Sequence, residues 1–260
     1  MSKEMTFMEH IEELRARLIR IIAAVGGVTV FTFTFGVRCS NFSSYSVCYP
    51  FPDIFENIVT LFFLRLQQDL VPSYVRIIQT EPSEAIVTLV YVSLFLGIIL
   101  AMPVILYELA RFLAPGLKPG EKKLIVRITV PATLLFALGS VFAYYLVIPY
   151  AIDFLFSYGL ALGAETFLTL ESFIGFVLLF VLAFGLSFQL PLIMVGLDAL
   201  GVVDRSFWKE NFSYAVIAIL VFGAIITPDG SGITMFMVAA PLVLLYLLGY
   251  VVIRRRKGED

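Results

Sequence analysis

Six apolar stretches, each bounded by charged or turn-forming residues, limit what this chain can fold into more than any other feature. A helix needs about 20 mostly apolar residues to cross roughly 30 Å of hydrocarbon. Stretches near that length lie at about 18–36, 85–108, 124–149, 173–198, 212–227 and 233–253. The fifth is the shortest, since about 16 residues rising ~1.5 Å each reach only ~24 Å. Their ends have local causes. Pro82 and Ser83 precede the second stretch, Pro149 closes the third, and Pro228 with Asp229 and Gly230 turns the fifth into the sixth as an antiparallel hairpin. A chain of 260 residues that is 60% hydrophobic and 15% charged is no soluble domain.

The expected fold is an all-α polytopic membrane protein with six transmembrane helices. It forms a single domain over 1–260, from an N-terminal amphipathic segment at 1–17 to a basic tail at 254–260. With the N-terminus inside, 15 of the 18 Lys and Arg residues fall on the cytoplasmic side, leaving only Arg38, Arg65 and Arg76 outside. The positive-inside rule therefore places both termini in the cytoplasm. A secretory signal is rejected for the first stretch, because Glu4, Glu9, Glu12 and Glu13 are foreign to a basic leader and no small-residue cleavage site follows Gly36. Nor does the N-terminus read as a basic, acid-poor transit peptide.

The outside loop of about 37–83 is the one long segment between spans. Phe55, Ile58, Val59, Phe62, Leu66 and Leu70 recur at helical spacing, so 53–70 reads as an amphipathic helix on the outer surface that caps the bundle. Cys39 and Cys48 lie in the same loop, in a compartment that permits oxidation; a structural disulfide and two free thiols are both open.

One histidine, two cysteines and a net charge of -2 remove the usual means of metal, histidine-base and nucleic-acid chemistry, so no cofactor, metal or catalytic group is expected. An ion-coupled transporter or a channel is the alternative. It normally needs carboxylates along a path, whereas Glu84, Glu108, Asp153, Glu171 and Asp198 all fall near span ends. Gln189 alone sits well inside a span, beside Pro191, which removes a backbone donor and bends the helix. Its amide either satisfies a carbonyl freed by that proline or meets a partner's transmembrane helix. Pro103, Pro131 and Pro241 interrupt three further spans and suggest a curved, concave bundle.

The cytoplasmic side carries two charged segments. His10 to Leu18 forms a short amphipathic helix with Glu13 and Arg17 one turn apart. Phe112-Leu113-Ala114-Pro115-Gly116-Leu117-Lys118-Pro119-Gly120-Glu121 is a rigid turn holding Glu121 among lysines. Carboxylates at such an interface suit the guanidinium groups of an incoming peptide, and Arg fits that geometry better than Lys.

Taken in order, these segments resemble the TatC family of twin-arginine translocase subunits. His10 to Leu18, Thr80-Glu81-Pro82-Ser83-Glu84, Phe112 to Glu121, Phe188-Gln189-Leu190-Pro191-Leu192, Thr227-Pro228-Asp229 and Pro241 with Leu245-Tyr246 carry the likeness nearly end to end. The resemblance implies a receptor in the prokaryotic cytoplasmic membrane for the Arg-Arg signal peptides of folded cargo. It implies self-association in a larger complex with single-span TatA- or TatB-type subunits, and export driven by the proton-motive force. On this likeness Glu13 and Glu121 pair with the signal arginines, Arg15 helps hold the N-terminal segment, and Gln189 meets a TatA-type helix. The short fifth span with the sixth offers the neighbouring partner surface and thins the bilayer locally. Thr227-Pro228-Asp229-Gly230-Ser231-Gly232 lacks the second proline and the glutamine common in the family, and Leu247 replaces a common glutamate. Asp229 is therefore carried over only as a candidate hairpin residue.

Overall fold

The computed structural model of the chain describes residues 7–42, 45–113, 122–199, 201–227 and 232–256. Among the described residues, five helices are long and apolar enough to cross a membrane: Met8–Thr34, Glu84–Phe112, Ile128–Ala161, Leu170–Ala199 and Ile233–Arg255. The expected fifth span is a helix of 15 residues, Phe212–Ile226, about 22 Å long at ~1.5 Å per residue. The residues fall into two compact units, Met1–Thr133 with Phe167–Gly175, and Leu134–Thr166 with Phe176–Asp260.

In the first unit, α1 (Phe7–Thr34) joins the amphipathic N-terminal segment and the first span in one helix. It ends two residues earlier than expected, where the chain turns into an antiparallel hairpin of β1 (Phe35–Phe42) and β2 (Tyr45–Pro52). Apolar alternation too weak to read against the prolines of β2 hid this ribbon in the sequence. The register places Cys39 opposite Cys48, and the two are joined as a disulfide. Arg38 lies over the Phe51 ring, 4.7 Å from its centroid.

The helix expected over 53–70 is α2, Ile58–Leu70, shorter than expected. Asp53 is the reason: its carboxylate accepts from the backbone N–H groups of Phe55 and Glu56 at 2.9 and 3.0 Å, and this turn competes with helix. The Glu56 and Phe55 donors hold that carboxyl below its usual range. Its contribution is therefore present above the unfolded pKa and is lost as pH falls through the lowered one. Asn57, fully buried, begins the helix. Its Oδ1 accepts from Thr60 N at 2.8 Å, while its Nδ2 donates to the carbonyls of Phe33 and Ile54 at 2.9 and 3.1 Å. Gly36 pairs with Asn57 across this corner, where a Cβ would lie 2.1 Å from the Glu56 carbonyl oxygen.

Val59, Phe63, Leu66 and Leu70 form the buried face of α2. The Phe63 ring meets Phe173 edge-on at 6.0 Å, and Phe62 meets Phe95 at 6.4 Å. Next come β3 (Val75–Ile78), paired with β4 (Thr166–Thr169), and α3 (Glu84–Leu113), which runs unbroken through Pro103. Glu84 ties this end together. One oxygen accepts from Thr80 N at 2.6 Å, Thr80 Oγ1 at 3.0 Å and Glu81 N at 3.4 Å, and the other accepts from Glu171 N at 3.1 Å. Removing the carboxylate strands these donors at once. We expect Glu84→Ala to lower the thermal midpoint in detergent by on the order of 5 °C, and Glu84→Gln, which keeps one acceptor oxygen, to lose less. Equal midpoints for all three proteins would show the tie to be dispensable.

The second unit corrects the end of the third span. After α4 (Lys122–Phe142), which runs through Pro131, a π-helical turn at Ala143–Val147 leads directly into α5 (Ile148–Ala161). Pro149 therefore does not stop the helix. The wider turn shifts the hydrogen-bond register so that Pro149 falls in the first turn of α5, where its missing N–H is not needed. The apolar part, Ile128–Ala161, has 34 residues, about 50 Å at 1.5 Å each and well beyond the hydrocarbon thickness. Phe136 packs on Gly185 of α6 (Leu170–Ser187), and Phe142 lies 5.7 and 5.8 Å from Phe184 and Phe188.

The expected bend in the fourth span is present, between α6 and α7 (Leu190–Ala199). The remaining helices are α8 (Arg205–Glu210), α9 (Phe212–Ile226) and α10 (Ile233–Arg256), the last continuous through Pro241. Gly223 of α9 packs on Met235 of α10, as a hairpin requires; its turn, with Pro228 and Asp229, lies outside the described residues. Met194, Tyr246 and Ile253 form a buried cluster surrounded by Trp208, Phe212 and Leu190. Tyr246 donates its hydroxyl to the Trp208 carbonyl at 2.6 Å.

Candidate functional site

The first turns of α1 hold no Gly or Pro, carry Glu9, Glu12 and Glu13 where the helix dipole favours acids, and place Arg17 one turn after Glu13. The helix thereby presents one face with alternating charge to the last turns of α3. Arg17 is buried there, 7% exposed, despite its charge. Its Nη2 donates to Glu13 Oε1, and its Nη1 donates to Glu108 Oε2 at 3.1 Å. Glu108 is equally buried and also receives Arg20 Nη1, at 3.4 Å to each oxygen.

Two carboxylates and two guanidinium groups thus form a network of no net formal charge, the arrangement that makes buried charge tolerable. One turn before Glu13, the His10 ring stacks on Phe112 at 4.6 Å with an interplanar angle of 17°. Helices α1 and α3 are therefore held together at this end by a ring pair and an ion network. Glu13 is the more reachable of the two carboxylates: its side chain is 26% exposed against 7% for Glu108. Among the described residues its Oε2 has no hydrogen-bond partner.

Of the residues singled out from sequence, Glu13 lies in this network, joined to Arg17 as expected. Arg15 is exposed on the other side of α1, and among the described residues no ion pair involves it. Glu121 and Asp229 lie outside the described residues.

Gln189 is buried at the α6–α7 break. Its backbone N–H turns to the Leu186 carbonyl at 3.0 Å, and its Nε2 reaches the Gly185 carbonyl at 3.4 Å, the acceptor a regular helix would have given to that N–H. The amide therefore contributes to satisfying a carbonyl left open at the bend, one freed by the turn of its own N–H and not by Pro191. Sequence reasoning missed the role of Glu108. An acid in the last turns of a span was visible, but its partners lie 91 and 88 positions away. Among the described residues no cluster of His, Cys, Asp or Glu could hold a metal.

Long apolar helices, with a charged network at one end of two of them, are the features of a multi-pass membrane protein. The family model for the Sec-independent protein translocase protein TatC matches residues 9–241, and the chain belongs to that family. It is 42% identical over 257 residues to the TatC of Cenarchaeum symbiosum, covering 99% of this chain and 97% of that one. It is 35% identical to the TatC of Aquifex aeolicus, covering 97% and 98%. A crystal structure described as the twin-arginine translocase receptor TatC superimposes with a TM-score of 0.76 at 34% identity, covering 94% of this chain and 99% of that one.

Proposed function

We propose that this chain is the receptor subunit of a twin-arginine translocase, binding Arg-Arg signal peptides of folded proteins at the cytoplasmic face. The observation that carries this reading is Glu13. It is a partly exposed carboxylate already engaged by one guanidinium: Arg17 donates to its Oε1, while its Oε2 is buried without a hydrogen-bond partner among the described residues. Glu121 supplies the second carboxylate in this reading, and Arg15 supports the N-terminal segment.

In this reading the helix Phe212–Ile226 is the fifth of six spans, short enough to thin the bilayer beside it, and both termini face the cytoplasm across a prokaryotic cytoplasmic membrane, which the lysine and arginine distribution supports. In this reading α2 is an extracytoplasmic cap helix. Single-span TatA- and TatB-type subunits assemble on it, and several copies work together under the proton-motive force. The chain performs no catalysis. Asp229 is retained as a candidate residue of the hairpin.

Binding of a fluorescent Arg-Arg signal peptide to the purified chain in detergent, against its Lys-Lys version at matched salt, tests the reading. The Arg-Arg peptide is expected to bind more tightly; equal binding of both would leave the family fold without a receptor role for this chain. Gln189→Leu is expected to spare peptide binding and reduce crosslinking to a TatA-type helix. Wild-type crosslinking would confine Gln189 to the helix bend.

A further inference from the structure

We infer that Arg17 is a resident competitor for the signal-binding carboxylate, and that Glu108 is the reserve partner that lets it step aside. This deepens the proposed function and rests on Glu13 as the acceptor of a signal arginine. Arg17 engages Glu13 through Nη2 and Glu108 through Nη1. Losing Glu13 to a ligand therefore leaves Arg17 buried but still paired, which avoids the large penalty of an orphaned internal charge. Arg20, 56% exposed and held to Glu108 at 3.4 Å, can yield its share of that carboxylate to water at little cost.

The consequence is selectivity. A ligand has to outcompete a guanidinium already seated on Glu13 Oε1. A second guanidinium can do so with its planar pair of donors, while an ammonium, more strongly hydrated and without that fork, competes poorly. Arg17 thus raises the threshold for every cation and raises it most for lysine. It is a specificity-determining residue that acts through Glu13.

Dissociation constants for the Arg-Arg and Lys-Lys peptides on the full chain test this in the wild type, Arg17→Gln, the charge-balanced pair Arg17→Gln with Glu108→Gln, and Glu13→Gln. Removing one positive charge by itself tightens both peptides alike, so the ratio between them is the informative quantity. We expect Arg17→Gln to tighten the Lys-Lys peptide about tenfold and the Arg-Arg peptide distinctly less, eroding the preference. An unchanged ratio, or weaker binding of both peptides by a folded variant, would overturn the inference. If Arg17→Gln does not fold, the balanced pair reads the same ratio, because it too leaves Glu13 unoccupied. Loss of binding in Glu13→Gln beside an unchanged ratio in the Arg17 variants would remove the competitor role and keep the receptor. Wild-type binding in Glu13→Gln would remove both.

Discussion

Glu13→Gln is expected to weaken binding of an Arg-Arg signal peptide by about 30-fold, the equivalent of roughly 2 kcal/mol for charge-assisted hydrogen bonds to a guanidinium. The change is isosteric and removes only the charge. Arg17 keeps Glu108 at 3.1 Å, so the buried guanidinium retains an ionic partner and the helix pair persists. The thermal midpoint should move little while the dissociation constant rises, and that separation is the informative result. A dissociation constant within threefold of wild type, in a variant that melts normally, would take Glu13 out of the recognition site. Higher salt should narrow the difference between the two proteins, since the interaction lost is electrostatic and partly exposed.

The second large effect is expected at Gly97, where α3 crosses α1. A Cβ there would lie 2.2 Å from Thr29 Oγ1 and 2.9 Å from the Val25 carbonyl oxygen. The threonine hydroxyl can turn away; the carbonyl belongs to the helix backbone and cannot. Gly97→Val must therefore push the helices apart, which forfeits the close approach that drives helix association in lipid, where no hydrophobic force replaces it. We expect a loss of about 3 kcal/mol, read as a lower thermal midpoint and poor accumulation in the membrane, with Gly97→Ala intermediate. Wild-type stability for Gly97→Val would mean that α1 is held chiefly at its N-terminal end, through the Glu13–Arg17–Glu108 network and the His10–Phe112 stack.

These two residues differ in how far the sequence announced them. Glu13 stands in a segment whose spacing predicts both the helix and the pairing with Arg17, because partners one turn apart are a matter of local geometry. Gly97 is one of several glycines in apolar runs, and nothing near it in the chain shows that it faces α1. Cys39 and Cys48 lay between: their place in one loop left a bridge open, but only the hairpin register brought them opposite each other. At Pro149 the sequence rule gave the wrong end to the third span, because a π-helical turn upstream absorbed the proline. Helix α2 began late for a comparable reason, with Asp53 and Asn57 using their side chains to build a turn and an N-cap.

By itself the sequence determined the membrane class, the positions of the long helices and the family likeness. All of these follow from apolar length and short-range charge spacing, which act along the chain. The tertiary structure alone decided that Glu108 shares Arg17 with Glu13, that Glu84 joins the start of α3 to the start of α6, and that α1 and α3 meet at a glycine. The physical reason is the same in each case. Burial makes a charge or a close contact consequential, and what buries these groups comes from residues far away in the chain.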